Sequence, residues 1–304
     1  MLLVTGATGF VGRYVMKKIV SIRDDIRILS RHAELATRLY PDAEIFKGDI
    51  TDKNSLKGVG KDVDIVIHLA GLVSYSKPKD VLYKVNIEGT RNILNECKNA
   101  KKFIFSSSVS VYGEIKGKAD EDYPRNPKNY YGESKMYAED AITDSGIPYI
   151  IMRIAPIYGK GSPSWFKNLK LMENNFPIPK TSNLTHIVHI SDIANAFALS
   201  LKKNITGVYN IADEKPIKFV DLSSKLVQLL GKEPKFMPFW MVSFLARLKG
   251  MKTYFDVLTM NRYYDITKAK TRLGYKPQAD LEKELSEMIE WYKKEREAGI
   301  NLQS

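Results

Sequence analysis

Residues Leu2 to Gly12 leave few folds open to this 304-residue chain. A short apolar run, Leu2-Leu3-Val4, passes directly into Thr5-Gly6-Ala7-Thr8-Gly9-Phe10-Val11-Gly12. Beyond it, Val15, Ile19 and Val20 fall on one face of a helix. A strand that turns through three glycines into a helix has a specific use. The first glycine permits the tight turn, the second lets backbone approach a pyrophosphate, and the third lets helix and strand pack closely. The helix N-terminus then presents free N–H groups to the phosphates. The segment therefore predicts a dinucleotide site, with Gly6, Thr8, Gly9, Phe10, Val11 and Gly12 as contacts.

The pattern that follows agrees with such a start. Predicted strands at Ile26–Leu29, Glu44–Lys47, Ile65–His68, Phe103–Ser106 and Ile150–Arg153 alternate with amphipathic helices at Val11–Ser21, Lys79–Cys97 and Tyr131–Asp144. That alternation makes a parallel sheet covered on both faces, an α/β doubly wound fold of Rossmann type. Gly207–Ile211, after a helix over Asp192–Leu201, is expected to extend the sheet. From about Gly161 the pattern loosens around Pro163, Pro177 and Pro179. The predicted division places the dinucleotide-binding domain in residues 1–160 plus 187–212. A smaller, discontinuous substrate-binding lobe takes residues 161–186 plus 213–304 and ends in a helix carrying Leu281, Leu285, Met288, Ile289 and Tyr292.

Charge and cysteine content restrict the setting. The net charge is +12, but the lysines are scattered in ones and twos, as at Lys17-Lys18 and Lys293-Lys294, with no basic block interleaved with aromatics. Nucleic acid is therefore not the expected partner; the positive field suits anionic small molecules. One cysteine, Cys97, excludes an internal disulfide and suits a reducing cytosol, so a cytoplasmic location is expected. No apolar run is long enough to span a membrane. No metal site is assigned.

A second motif supplies chemistry. Tyr131-Gly132-Glu133-Ser134-Lys135 puts a phenol and an ammonium four residues apart, on one helical face. A neighbouring Lys⁺ is expected to favour the phenolate and lower the tyrosine pKa, which makes Tyr131 a proton donor and acceptor. With the glycine turn, this pair resembles the short-chain dehydrogenase/reductase superfamily, extended class, which includes nucleotide-sugar epimerases and dehydratases. Ser106-Ser107-Ser108-Val109-Ser110-Val111-Tyr112-Gly113 resembles the family's Ser-Ser-x-x-Val-Tyr-Gly signature, whose catalytic hydroxyl matches Ser108, with Ser107 and Ser110 as alternatives. The resemblance implies a Ser108–Tyr131–Lys135 triad. Hydride moves between a nicotinamide and a carbon bearing oxygen, Tyr131 handles the proton, Ser108 orients the oxygen, and Lys135 bonds the nicotinamide ribose.

Further coenzyme contacts are implied in the same way. Asp49 and Ile50 match the adenine-contacting pair after the third strand, and Leu69, Ala70 and Gly71 match the turn after the fourth. Asn86 matches the following helix, in a mainly structural role, while Ser106, Ile154, Pro156 and Ile157 match segments near the nicotinamide. His68 is read as a packed strand-end residue. An acidic residue at the end of the second strand would bond a ribose 2′-hydroxyl. This chain has Ser30-Arg31 there, suited to a 2′-phosphate, so NADP(H) is expected to be preferred, with NAD(H) possible.

Departures from the family pattern narrow the substrate. Sugar dehydratases carry a hydroxyl-Asp-Glu triplet where this chain has Ser108-Val109-Ser110. Many nucleotide-sugar epimerases carry an asparagine at the position of Pro156 and an arginine within the stretch here occupied by Asn183 to Ile187. The apolar segment Phe236–Leu248 resembles the 3β-hydroxysteroid dehydrogenase and dihydroflavonol reductase branches. It reads as a lid, as an interfacial helix, or as a helix packed on the sheet domain. The expected activity is alcohol–ketone oxidoreduction on a small, partly apolar molecule; the alternative is an NAD-dependent nucleotide-sugar epimerase. A non-catalytic coenzyme sensor is the third reading, disfavoured by retention of the triad. By analogy with the family a homodimer is expected.

Overall fold

A computed structural model describes residues 1–299. Seven strands form one parallel sheet: β1 (Leu2–Thr5), β2 (Ile26–Ser30), β3 (Glu44–Lys47), β4 (Ile65–His68), β5 (Lys102–Ser108), β6 (Tyr149–Ile154) and β7 (Gly207–Ile211). Their spatial order is β7-β6-β5-β4-β1-β2-β3. Chain order therefore reverses between β1 and β4, and the crevice at such a reversal is where open α/β sheets bind ligands.

Strand alternation divides the core. Leu2, Val4, Ile28, Ile67, Ile104 and Met152 face α1 (Phe10–Ile19) and the helix Ile190–Lys202. Leu3, Leu29, Val66, Phe103, Phe105 and Ile151 face the other way, toward Ile93, Leu94, Ala138 and Ile142. Both sheet faces are covered, so the strands read as nearly continuous apolar runs. On the first face also lies α2 (Ala33–Leu39), whose Ala36 joins the cluster around α1, while the second face carries α3 (Lys79–Tyr83), a π turn over Lys84–Glu88 and α4 (Gly89–Glu96). The single helix expected over Lys79–Cys97 runs unbroken from Lys79 to Glu96, widened by one π turn that carries Asn86. Next comes α5 (Tyr130–Asp144).

After β6 the chain builds a second cluster. Its helices are α6 (Pro163–Glu173), α8 (Phe219–Leu229), α9 (Phe239–Leu248), α10 (Lys252–Thr259) and α11 (Leu281–Glu297), while α7 (Ile190–Lys202) returns to the sheet beside α1. Trp165, Phe166 and Leu169 of α6 bury against Leu222 and Leu226 of α8 and Leu285, Met288 and Tyr292 of α11. A separate small core joins Val242 and Ala246 of α9 to Phe255 of α10. The apolar segment that begins at Phe236 is not helical throughout. Phe236–Pro238 pairs in parallel with Ile178–Lys180, and the helix starts only at Phe239. Pro238 as the preceding residue ends the strand and opens the helix.

Candidate active site

The glycine turn has no space for side chains where packing demands none. Gly6 has φ of +73°, and a Cβ there would lie 2.6 Å from the Ala70 nitrogen, across the β1–β4 crevice. A Cβ on Gly12 would lie 2.1 Å from the Gly6 carbonyl oxygen. Gly9 differs: it is exposed, and its Cβ would meet only the Gly6 carbonyl, at 3.3 Å. Gly9 caps α1 without a side-chain hydrogen bond, and no acidic residue sits in the first turn. An open, uncapped, acid-free helix N-terminus fits a pyrophosphate. Thr8 and Val11 are half-buried around the turn. The Phe10 ring packs edge-on to Tyr14, whose hydroxyl donates to the Lys160 carbonyl.

The residues proposed for the adenosine end lie on neighbouring strand ends. Ser30 is buried and its Oγ accepts from the His32 amide. Arg31 is exposed, its guanidinium 3.7 Å from the Asp49 carboxylate. Burial opposes ionisation of Asp49, but hydrogen bonds from the Thr51 amide and hydroxyl and the Arg31 charge outweigh it and hold the carboxyl below its ordinary range. The buried Ile50 side chain abuts Gly89, where a Cβ would come within 2.7 Å of it.

On the nicotinamide side, α5 carries Tyr131 and Lys135 into the interior. Asn129 starts this helix by accepting from the Gly132 amide at 2.8 Å. A Cβ on Gly132 would sit 2.4 Å from the Ser110 carbonyl oxygen, so a glycine is required for α5 to press against the turn that follows Ser108. Ser108 Oγ accepts from the Ser110 amide and donates to Ser110 Oγ, both at 3.1 Å. The Ser107 hydroxyl, on the alternate face, donates instead to Glu139 at 2.5 Å. Ser108 lies beside the Tyr131 hydroxyl, with Ser110 next to it, while Ser107 is committed to Glu139.

Lys135 Nζ donates to the Ser106 carbonyl at 2.8 Å and stands 4.6 Å from the Phe105 ring centroid. It also lies 3.2 Å from where a Gly71 Cβ would be, which brings the turn after β4 onto the same spot. Leu69 and Ala70 flank that turn against Gly6. Asn86 is buried and spends its amide within the protein: it exchanges two hydrogen bonds with Leu72 and donates to the Ser134 hydroxyl. Its place is structural, tying the β4 turn to α5. Ile154 is buried at the end of β6, the Pro156 carbonyl accepts from the Val188 amide, and Ile157 pairs with Val188. His68 is fully buried between the Thr5 and Thr90 hydroxyls, and burial pushes its pKa down to about 3. A neutral, doubly bonded imidazole there is a packing element.

The expected electrostatics of the pair need correction. Burial holds the Tyr131 phenol well above its ordinary pKa, the Tyr75 phenol adds to this, and the Ser108 hydroxyl pulls the other way. Lys135 does not lower it. Burial instead pushes Lys135 down to about 8 from an ordinary 10.5, with Glu139 acting weakly against that. Spacing on a helix showed adjacency but not desolvation, which dominates both groups. A lysine that binds its proton more weakly folded than unfolded costs stability below pH 8, and the cost fades as pH rises toward 10.5. At about 1.4 kcal/mol per unit the penalty is about 3–4 kcal/mol, offset by about 1 kcal/mol for the bond to Ser106. Lys135→Met should therefore raise stability at pH 7 by about 2 kcal/mol in urea unfolding, and the gain should vanish above about pH 10.

Two further tyrosines stack outward from Tyr131: Tyr75, from the segment Leu72 to Ser76 expected to shape the pocket, and Tyr254, outside the expected set. Tyr75 packs edge-on to Tyr131 with centroids 5.8 Å apart, and Tyr254 of α10 packs on Tyr75 at 6.2 Å. Beyond Tyr254 lies an apolar cavity of about 80 Å³, lined by Trp165, Phe176, Leu226, Met251 and Phe255 among others.

Comparison with known proteins places this geometry. The family model described as NAD dependent epimerase/dehydratase family matches residues 2–212. The chain belongs to that family. Members are NAD-dependent oxidoreductases and epimerases of the extended short-chain dehydrogenase/reductase superfamily, and the chain is an enzyme of this kind. It is 26% identical to mouse (Mus musculus) sterol-4-alpha-carboxylate 3-dehydrogenase, decarboxylating, over 94% of this chain and 89% of the relative. It is 29% identical to a putative UDP-glucose 4-epimerase of Methanocaldococcus jannaschii, over 96% of this chain and 98% of that one. The crystal structure of UDP-glucose 4-epimerase with UDP-glucose from Thermotoga maritima superposes with a TM-score of 0.78 at 25% identity, covering 96% of this chain and 98% of that chain. A sterol dehydrogenase and UDP-glucose epimerases thus both occur among the proteins this chain is similar to.

Proposed function

We propose that this enzyme interconverts a secondary alcohol and a ketone on a small, partly apolar molecule, using NADP(H), with Tyr131, Ser108 and Lys135 as its catalytic residues. The observation that supports the reading is a buried Tyr131, with the Ser108 hydroxyl beside it, four residues before the buried Lys135 on α5, at the same C-terminal end of the sheet as the glycine turn. The nicotinamide coenzyme, when bound, supplies or takes the hydride. Gly6, Thr8, Gly9, Phe10, Val11 and Gly12 hold its pyrophosphate, Asp49 and Ile50 its adenine, and Leu69, Ala70, Gly71, Ser106, Ile154, Pro156 and Ile157 its nicotinamide half. Lys135 bonds the ribose on that half.

A phenol kept protonated at neutral pH suits proton donation, so Tyr131 gives its proton to the oxygen formed as a ketone is reduced. Ser108 hydrogen-bonds that oxygen and fixes its position. Lys135 contributes positive charge only while protonated, and its pKa of about 8 sets an upper limb. The kcat/KM for ketone reduction should decline as pH rises through about 8.

An apolar substrate portion is supported by the Tyr75–Tyr254 bridge from Tyr131 to the apolar cavity, since dry apolar cavities accept apolar groups. NADP(H) preference rests on the exposed Arg31, whose nearest carboxylate is a loose 3.7 Å away, with Ser30 beside it. Arg31→Asp should weaken NADPH binding at least tenfold, worth about 1.4 kcal/mol or more, and leave NADH binding little changed. An unchanged preference in calorimetry removes the assignment. Residues 1–160 plus 187–212 are assigned to the coenzyme and residues 161–186 plus 213–304 to the substrate. The exposed Tyr130 and Tyr137 of α5 supply a face for a homodimer, and a cytoplasmic setting suits the buried Cys97, whose thiol burial raises to about 12.

The epimerase reading is supported by the relative from Methanocaldococcus jannaschii. One assay separates the two. NADPH oxidation followed at the nicotinamide band, with a panel of apolar ketones and nucleotide sugars, should show net coenzyme consumption on ketones. Sugar epimerisation with bound dinucleotide and no net absorbance change would reject the oxidoreductase.

A further inference from the structure

Helix α9 is apolar on two opposite sides, and the fold uses only one. Val242 and Ala246 are buried against Phe255, Phe176, Met237 and Met251. On the other side, Trp240, Phe244 and Leu248 follow one another at four-residue spacing and are 70%, 58% and 68% exposed. Residues four apart lie almost in line along a helix, so these three form one stripe about half a turn away from the buried pair. Phe236, in the strand just before the helix, is exposed as well, whereas Phe239 turns to the buried side and packs on Phe255. A helix apolar all round is ordinarily buried, and large side chains clustered on the surface mark a contact surface.

The rim of the stripe identifies the contact. From Lys232 to Lys252 the chain carries Lys232, Lys235, Arg247, Lys249 and Lys252 against one acid, Glu233. Lys235, Arg247 and Lys249 are exposed, and Lys252, also exposed, is paired with Asp256 of α10 and adds no free charge. Apolar and aromatic side chains on one face, framed by basic residues, are the signature of a helix lying in the headgroup region of a bilayer. Tryptophan favours that depth, because its ring is apolar and its N–H finds polar partners. Among the described residues no helix is long and apolar enough to cross a membrane, so such a helix lies on the surface.

We propose that α9 docks this enzyme flat on an anionic lipid bilayer, with Trp240, Phe244 and Leu248 inserted among the acyl chains and the surrounding lysines and Arg247 on lipid phosphates. The charge rim favours lipid over a second copy of this chain, whose own α9 face would bring like charges together. The same helix lines the apolar cavity through Ala246, so the docked face adjoins the space assigned above to the apolar part of the substrate. Docking itself does not depend on that assignment, because it is read by lipid binding and not by turnover.

The test is flotation of the full chain with vesicles. Phosphatidylcholine vesicles containing about one-third phosphatidylglycerol should carry the protein up the gradient, and binding should weaken about tenfold or more on pure phosphatidylcholine or at molar salt. The variant W240Q/F244Q/L248Q replaces only exposed side chains, should melt like the wild type, and should bind the anionic vesicles at least about tenfold more weakly. Tryptophan emission should shift to the blue on these vesicles in the wild type and not in Trp240→Phe, since Trp165 and Trp291 belong to an interior cluster. Absence of vesicle binding by the wild type overturns the proposal, as does equal binding by the triple variant. So does self-association in ultracentrifugation that the triple variant abolishes while vesicles capture neither protein; that result assigns the face to a second copy.

Discussion

Tyr131→Phe should lower turnover about a thousandfold while changing the dissociation constant for NADPH by less than about threefold. The substitution removes one oxygen, so the ring stays packed against Tyr75 and the backbone of α5 stays pinned by Asn129 and Gly132. What disappears is the proton. A loss of this size is about 4 kcal/mol of transition-state stabilisation, more than a single neutral hydrogen bond contributes to ground-state binding. The effect should therefore appear in kcat, with KM little altered. Stopped-flow and steady-state kinetics with calorimetry on the same preparation check both halves. Turnover near that of the wild type would show that another group moves the proton.

The largest expected effect on stability comes from a residue that touches no reacting atom. Glu139, one turn along α5 from Lys135, is buried and pairs with the buried Arg153 of β6 at 2.8 Å, with further bonds from the same guanidinium. Arg153 also donates to the Tyr112 hydroxyl and the Glu121 carbonyl, and Ser107 donates to Glu139. This network fastens α5 to the ends of β5 and β6, immediately behind Ser108 and Tyr131. Removing one member leaves the other charge buried without its partner, which typically costs 3–5 kcal/mol. Glu139→Ala should thus destabilise the protein by about 4 kcal/mol and lower its melting temperature by about 10 °C. Replacing both charges, as in E139L/R153M, should restore most of the loss, because the cost lies in the unpaired charge more than in the missing attraction. A double variant as unstable as the single one would mean that the network is held by packing around it.

Local chemistry was legible in the sequence and desolvation was not. The glycine turn, all seven sheet strands and the helix bearing Tyr131 and Lys135 follow from short-range pattern, since a strand or helix declares itself by its own periodicity. Ser30 and Arg31 could be placed at a strand end for the same reason. The stacking of side chains above Tyr131 could not, although Tyr75 lies in a segment, Leu72 to Ser76, expected to shape the pocket. Tyr75 and Tyr254 reach it from a loop and from a distant helix, and neither stands in a recognisable motif. Gly132 was visible as a letter between Tyr131 and Lys135, yet its role, allowing α5 to approach the Ser110 carbonyl, needs the third dimension. The Tyr131 pKa shift has the opposite sign to the one expected from sequence, for one reason. Adjacency of phenol and ammonium is a sequence property, whereas removal of both from water is a property of the whole fold. The apolar segment ending at Leu248 was ambiguous because its composition suits burial and lipid alike. Only the exposed side of α9 distinguishes the two.

The most direct test is the structure of this protein crystallised with NADPH, preceded by calorimetry to establish uptake. The account predicts one bound coenzyme per chain, its pyrophosphate on the Gly6–Gly12 turn, the Lys135 amine on the ribose next to the nicotinamide, and the Tyr131 hydroxyl opening onto the reactive face of that ring. A hydroxyl turned away from the ring, or no heat of coenzyme binding at all, would contradict it.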